Sequence, residues 1–324
     1  MSDVGARYHA PRMPRIAVLI PCHNEEAAIA SVVADFRAAL PDAVIYVYDN
    51  NSTDKTSEVA AAAGAVVRFE ALAGKGNVVR RMFADVVADV YVMVDGDDTY
   101  EAAKAPELVR QVWEDRLDMV VGTRIASPEV AGAYPPGHRF GNAMFTGSIA
   151  RLFGDRFTDV FSGYRAFSHR FVKSFPGLSA GFEIETELTV HALELRMPVG
   201  ELETAYGERP EGSASKLRTV RDGVRILGVI GLLLKEVRPA LFFGIPFALL
   251  LVASLALGLP LFVTFFETGT VPRFPTAIAA AALMTLSWLF LVCGLVLDSV
   301  ARGRMEGKRM AYLALPPPGS DPAG

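Results

Sequence analysis

Two stretches near the C-terminus, residues 241–266 and 276–300, constrain this chain more than any other feature. The first carries no charged residue and the second only Asp298, near its end. As helices rising about 1.5 Å per residue, each is long enough to cross the roughly 30 Å of bilayer hydrocarbon. The connector between them, "ETGTVPRFP", has room only for a tight turn, so the pair reads as a transmembrane hairpin. Pro246 and Pro260 fall inside the first run, where a membrane helix tolerates a kink. Two buried core helices are the competing reading, and both the length of the runs and their pairing count against it. Flanking charge sets the orientation. Arg225, Lys235 and Arg238 precede the pair, Arg302, Arg304, Lys308 and Arg309 follow it, and the connector holds only Arg273. Both ends, and with them everything N-terminal, are therefore expected on the cytoplasmic face of the plasma (inner) membrane.

The segment "DGVRILGVIGLLLKE" (222–236) is apolar but too short to span, with charge at both ends. It reads as an amphipathic helix in the headgroup layer, with a helix packed on the preceding domain as the alternative. The chain then divides into a flexible tail (1–14), a soluble domain (15–221), an interfacial helix (222–238), a two-helix hairpin (239–301) and a cytoplasmic tail (302–324). Hydrophobic residues make up 51% of the chain, and the excess lies after residue 220, which leaves an ordinary mixed composition for a soluble domain large enough to bury a good core. A net charge of −4 speaks against nucleic acid as a partner. The two cysteines, Cys22 and Cys293, fall in different parts of the chain and are not expected to pair, which suits a reducing compartment. The N-terminus has no apolar signal core, and the Pro- and Gly-rich end "LALPPPGSDPAG" reads as disordered.

Within the soluble domain, apolar runs at 15–21, 43–49, 66–70, 90–95 and 118–124 suit buried strands. Helical spacing appears between them at 25–40, 56–65, 75–87 and 105–115. Strands alternating with helices imply a mostly parallel, doubly wound α/β sheet, whose ligands bind at the carboxyl ends of the strands. The polar clusters "PCHNEE", "DNNSTD", "DGDD" and "GTR" each follow a strand directly, so one edge gathers them all. No G-x-G-x-x-G fingerprint occurs, which disfavours a dinucleotide oxidoreductase. Alternate carboxylates in "DGDD" can hold a hard divalent cation through oxygen, while an acidic surface turn is the bland alternative. An EF-hand loop is excluded, because Tyr100 stands where its glycine is required.

Taken in order and spacing, "IPCHNEEAAI", "VYDNNSTDKT", "GKGNVVRRMF", "VMVDGDD" and "VGTR" resemble the family 2 glycosyltransferases of GT-A fold. That resemblance implies a nucleotide-sugar site built from Pro21, Asn24, Glu25, Asp49, Asp54, Lys75, Asp95 and Asp97, with Asp95 and Asp97 ligating Mg²⁺ or Mn²⁺ on the donor diphosphate. His23 departs from the aromatic residue expected at its place. Further on, "FTDVFSGYRAFSHRFV" (157–172) and "ERPEGSASKL" (208–217) resemble the polyprenyl-phosphate sugar synthases, the dolichyl-phosphate mannose synthase group. The Q-x-x-R-W motif of the processive cellulose and hyaluronan synthases does not occur.

The resemblance implies transfer of one sugar, with inversion, from a nucleotide sugar to a polyprenyl phosphate such as undecaprenyl, decaprenyl or dolichyl phosphate. A nucleoside diphosphate is released, and the product serves cell-envelope glycan or glycoprotein synthesis. "DGDDTY" is more like the UDP-sugar members than the GDP-mannose ones. The expected acceptor-phosphate groups are Arg124, Arg139, Arg165, Arg209, Ser215 and Lys216, because guanidinium and ammonium groups suit phosphate. Asp97, Asp159 and Arg124 are the expected catalytic residues, with Asp159 serving either as a base or to orient the acceptor. Glu183 and Glu187, four apart on one helical face, read equally as sugar or arginine partners and as a solvated face. Another lipid acceptor such as diacylglycerol, and a non-catalytic membrane scaffold of the same fold, remain the alternatives; a homo-oligomer is compatible with any of them.

Overall fold

The structure is a computed structural model and describes residues 12–126, 147, 157–179, 181, 183–207, 231–232 and 234–320. The chain divides into two compact units, Met1–Thr219 with Lys308–Gly324, and Val220–Gly307.

The first unit is built on a seven-stranded sheet. In chain order its elements are β1 (Ile16–Cys22), α1 (Ile29–Ala39), β2 (Val44–Asp49), α2 (Thr56–Ala62), β3 (Val66–Phe69), α3 (Lys75–Asp85), β4 (Val90–Met93), α4 (Ala105–Trp113), β5 (Met119–Ala126), β6 (Arg165–Ser168), α5 (His169–Ser174), α6 (Ile184–Glu194) and β7 (Val199–Tyr206). The strand order is β3-β2-β1-β4-β6-β5-β7. The chain winds outward from β1 to β3, then returns to lay β4 on the other side of β1. The carboxyl ends of β1 and β4 therefore flank the point where the winding reverses, which is where an open α/β sheet binds its ligands. All pairings are parallel except those of β6, which runs antiparallel between β4 and β5. The expected mostly parallel sheet is present, and β6 and β7 are additions to the strands anticipated from sequence.

The apolar runs behave as buried strands should. Val18, Leu19 and Ile20 of β1 and all four residues of β4 are fully buried. On α1, Ile29, Val32, Val33 and Phe36 form the 3.6-period stripe that packs into this core. Phe36 meets Tyr164 edge-on at 5.8 Å, and Gly122 leaves the space that the Tyr164 ring occupies, since a Cβ there would lie 2.8 Å from Tyr164 Cδ1.

The C-terminal segment departs from the expected tail. The second apolar helix runs on to Leu313, and from Lys308 onward the chain belongs to the first unit. Lys308 Nζ donates to Glu194 Oε2 at 2.9 Å, and Tyr312 Oη donates to Asp118 Oδ2 at 2.7 Å. Asp118 is wholly buried and also accepts from Ser168 Oγ and, through both oxygens, from Arg170, whose guanidinium lies 4.5 Å from the Tyr312 ring centre. Pro318 is buried, and Gly319 lies so close to the Trp113 carbonyl that a Cβ would overlap it. The expected disorder of residues 313–324 therefore does not hold for 313–320. A buried carboxylate needs donors from wherever the chain can supply them, and the terminal helix supplies one.

Two helices, α7 (Pro239–Thr268) in the second unit and α8 (Phe274–Leu313), which belongs to that unit up to Gly307, are long and apolar enough to cross a membrane. They pack through small residues: Ser254 Oγ donates to the Ala280 carbonyl at 2.8 Å, and Gly294 admits Phe243. Of the expected interfacial helix, residues 231–232 and 234–237 are helical, and the remainder up to residue 230, with residue 233, lies outside the described residues.

Asp118→Ala should cost about 3–5 kcal/mol, because it leaves the Arg170 charge unpaired in the interior. Tyr312→Phe, which removes one bond to a charged acceptor, should cost about 1.5–3 kcal/mol. Denaturant unfolding of the full chain in detergent measures both, and an unchanged midpoint for Asp118→Ala would mean that this cluster contributes no net stability.

Candidate active site

The loops after β1 and β2 close on each other. Asn24 and Asn51, at φ 57° and 61°, take the left-handed conformation that asparagine tolerates. Asn24 Oδ1 accepts from Thr53 N at 2.7 Å, and Asn24 N donates to Ser52 Oγ. Asp49 accepts from Ser52 N and from Ser57 Oγ, one on each oxygen. Asp54 accepts from Thr56 N, Thr56 Oγ1 and Glu26 N, and these donors hold its carboxyl below its usual pKa against the opposing effect of burial. Glu25 N donates to Thr56 Oγ1. Asn50 ties the β2 loop to the approach of α3, donating to the Glu70 and Leu72 carbonyls and accepting from Gly74 N. Pro21 sits in β1 opposite Tyr48. The residues expected to line the nucleotide site thus come together at one sheet edge, where their first task is to fix the two loops.

The D-x-D turn follows β4. Gly96 is required there, because a Cβ would lie 2.6 Å from Cys22 Sγ. Asp95 lies over Gly163, where any side chain would overlap its carboxylate. The glycine of "SGYR" is thereby explained by its contact with a carboxylate nearly seventy residues earlier. Asp97 is buried and accepts from Thr99 Oγ1 at 2.6 Å. Asp98, at φ 57°, turns away to a hydrogen bond with Ser31 on α1. Burial pushes its carboxyl pKa up, and the nearby charges of Asp35 and Asp97 add to this.

The cation among these carboxylates is Lys75, the first residue of α3. Its Nζ lies 2.5 Å from Asp95 Oδ1 and 2.5 Å from Glu185 Oε1. Burial would lower the pKa of this ammonium, but the two carboxylates outweigh burial and hold it above its usual value. Glu185 lies in the first turn of α6, between Glu183 and Glu187, the two acids that helical spacing marks as a pair. Glu183 stands at the N-cap position of that helix, and Glu187 accepts from Leu178 N and Ser179 N at its start. The signal available for Glu185 was its place in "GFEIETELTV", an acid inside a run that buries nearly all round.

On β5, Arg124 forms a two-pronged pair with Asp159, Nε to Oδ2 at 2.7 Å and Nη2 to Oδ1 at 2.8 Å. Its guanidinium carbon lies 5.5 Å from the Tyr206 ring centre. Burial works against both charges, yet the pair prevails: Asp159 is held below the usual carboxylate range and Arg124 above its own usual value. Tyr100 links the two halves. Its hydroxyl accepts from Gly163 N at 2.9 Å, its ring meets Tyr206 at 5.2 Å, and both Asp95 and Arg124 act on it electrostatically.

Arg165 requires a correction. It was expected to meet the acceptor phosphate, but it is wholly buried and donates to the Ser162 and Val160 carbonyls and to Thr189 Oγ1. Burial pulls its pKa down to about 10, so it remains charged at neutral pH as an internal clamp on the 159–164 loop. Arg139, Arg209, Ser215 and Lys216 lie outside the described residues.

Asp95 accepts from Lys75 and Asp97 from Thr99, and both are hard oxygen donors. That donor set fits Mg²⁺ or Mn²⁺, which commonly take one or two protein carboxylates and complete their shell with phosphate and water. Among the described residues no group of three or more metal-ligating side chains converges, so an all-protein cage is not what this edge offers.

Residues 17–175 match the family described as "Glycosyl transferase family 2". Glycosyltransferase AglJ of Haloferax volcanii is 35% identical over 257 residues, spanning 79% of this chain and 83% of that protein. The dolichyl-phosphate hexose transferase of the same organism is 30% identical over 199 residues, spanning 60% and 83%. The crystal structure of Mycobacterium tuberculosis glucosyl-3-phosphoglycerate synthase with Mn²⁺, UDP-glucose and phosphoglyceric acid superposes with a TM-score of 0.53 at 23% identity, covering 68% of this chain and 79% of that one. That likeness shows the GT-A fold. Coverage and identity with AglJ, together with the matched domain, establish that this chain belongs to glycosyl transferase family 2 and is a glycosyltransferase.

Proposed function

We propose that the chain transfers a single hexose, with inversion, from a nucleotide sugar to a polyprenyl phosphate at the cytoplasmic face of a membrane. A UDP-sugar is the favoured donor, and the transfer depends on Mg²⁺ or Mn²⁺. The observation that carries this reading is the pair between partly exposed Arg124 and buried Asp159, set beside the D-x-D turn through Tyr100. An arginine fixed in one orientation suits a phosphate, which it can grip through two parallel bonds. Asp159 supplies that fixation. Held ionised below the usual carboxylate range and engaged on both oxygens, it is a poor proton acceptor. A phosphate acceptor needs none, because it is already anionic at neutral pH.

In this reading an acceptor phosphate oxygen attacks the anomeric carbon while the bond from that carbon to the diphosphate breaks. The nucleoside diphosphate leaves with the electron pair. Arg124 orients the attacking phosphate, and Asp95 and Asp97 would hold a divalent cation, which would supply positive charge to the leaving diphosphate. Positioning and preorganised charge carry the catalysis. The name of the Haloferax dolichyl-phosphate hexose transferase and the Mn²⁺ and UDP-glucose bound to the mycobacterial synthase support the acceptor, the metal and the donor class. The two apolar helices support a membrane site, and the charge distribution around them supports the cytoplasmic face.

Purified full-length protein, offered UDP- and GDP-hexoses with undecaprenyl phosphate and Mg²⁺ or Mn²⁺, should yield a lipid-linked sugar detectable by mass spectrometry. No product from any donor would overturn the reading, and product formed equally well in EDTA would remove the metal from it.

Arg124→Lys should lower kcat/KM for the lipid by about 100-fold, since a point charge cannot replace the two-pronged grip. Asp159→Asn should lower turnover while leaving the shape of the rate profile unchanged over about pH 6–8. An acid limb that vanishes in Asp159→Asn would instead identify Asp159 as a general base.

A further inference from the structure

Lys75 stands where a divalent cation would meet Asp95. Its Nζ is 2.5 Å from Asp95 Oδ1, and the Lys75 side chain is only 11% exposed. An ammonium on Asp95 Oδ1 and a metal ion on the same carboxylate repel each other and compete for its charge. A second anion lies on the far side of Lys75: Glu185 Oε1, also at 2.5 Å, on a side chain only 7% exposed. Three separate elements meet here, the N-terminus of α3, the turn after β4 and the first turn of α6. Glu185 reaches no other cation at salt-bridge distance among the described residues, and it also acts electrostatically on Arg165.

We propose that Lys75 is the resident counter-cation of Asp95, and that Glu185 is a positioning residue which retains the ammonium when a metal ion displaces it. The pair makes divalent-metal binding depend on the donor's diphosphate. A metal ion arriving alone exchanges one cation for another at Asp95 and leaves Lys75 beside an added positive charge. Arriving with a diphosphate, it brings anionic oxygens that can accept from the displaced ammonium. Glu185 lowers the cost of that displacement by keeping one partner on Lys75 throughout. This rests on the donor reading given above, and adds to it an order of assembly and a role for Glu185.

The test uses full-length protein in detergent and Mn²⁺ alone as the probe, with binding read from loss of the free-ion electron paramagnetic resonance signal. Wild type should bind Mn²⁺ weakly alone and roughly tenfold or more tightly with UDP present, within the usual range of coupling between two ligands. Lys75→Met should bind Mn²⁺ alone about tenfold more tightly than wild type, losing most of the UDP dependence. Glu185→Gln should weaken Mn²⁺ binding in the presence of UDP by about tenfold, and Glu185→Asp should recover part of that loss. Should Lys75→Met not fold, the double variant Lys75→Met/Glu185→Gln removes both buried charges and should show the same tightened binding of Mn²⁺ alone.

A Mn²⁺ affinity for Lys75→Met, or for the double variant, within twofold of wild type would overturn the proposal, as would a wild type that binds Mn²⁺ equally with and without UDP. Sugar transfer by wild type separates the two readings. Metal-dependent transfer with no effect of Lys75 on Mn²⁺ binding sinks this inference alone, whereas absence of transfer from any donor sinks the functional reading whatever the Mn²⁺ affinities.

Discussion

The site depends on one electrostatic constraint: carboxylates gathered at a sheet edge must be held close without an equal number of cations. Asp95, Asp97 and Asp98 follow one strand, and Glu185 reaches the same place from α6. Two unit charges 4 Å apart interact by about 4 kcal/mol at an effective dielectric constant of 20, so their arrangement cannot be left to chance. The chain answers by alternating signs through its interior. Asp95 pairs with Lys75, Lys75 with Glu185, and Arg165 lies in the combined field of Glu185 and Asp159, which in turn grips Arg124. Asp98 leaves the row, turning in a left-handed conformation toward Ser31. The edge keeps negative charge where a cation is to come, and the charge behind it is balanced.

Much of this fold was legible because the strands carry unambiguous information. Runs such as "AVLI" and "YVMV" can only be buried, and each polar cluster that ends one falls on the same edge of a parallel sheet. β6 was not legible. Only four residues long, it opens with an arginine, and its antiparallel direction follows from partners on both sides rather than from its own sequence. β7 was missed for a different reason: "VGELETAY" is polar and mostly half-exposed, so the apolar signal of a central strand is absent.

The site was legible by residue type and less so by role. Asp95, Asp97, Lys75, Arg124 and Asp159 stand at one edge, as the motifs implied, whereas Arg165 and Glu185 exchanged importance. A sequence does not distinguish an arginine that faces a ligand from one that ties a loop, because Arg124 and Arg165 both close the same G-x-R pattern. Here the distinction comes from depth: Gly163 lets Asp95 pack down onto the loop, and Arg165 is driven inward beneath it. Glu185 escaped notice because its partner lies on an element more than a hundred residues earlier. The same long reach explains the C-terminal segment, whose prolines suggest disorder while Tyr312 completes the coordination of Asp118 from 194 residues away.

The state of Asp159 bears on which acceptor the proposed reaction would use. A hydroxyl acceptor such as diacylglycerol must lose a proton as it attacks, and the group that takes it works best with a pKa near the working pH. Asp159, the carboxylate that grips Arg124, is placed by that pairing on the far side of this requirement. Its folded-state pKa is depressed, so the stabilisation it draws from Arg124 is present above the ordinary carboxylate pKa and is lost only as the pH falls through the lower folded value. Near neutrality the pair is intact and Asp159 holds no proton and seeks none. An enzyme that needed a base here would keep the carboxylate away from a guanidinium, or bury it unpaired to raise its proton affinity. An enzyme whose acceptor arrives already charged gains more from a rigid arginine, and a carboxylate locked on both oxygens is how a protein makes an arginine rigid. The geometry of this pair therefore favours an anionic acceptor over a neutral one.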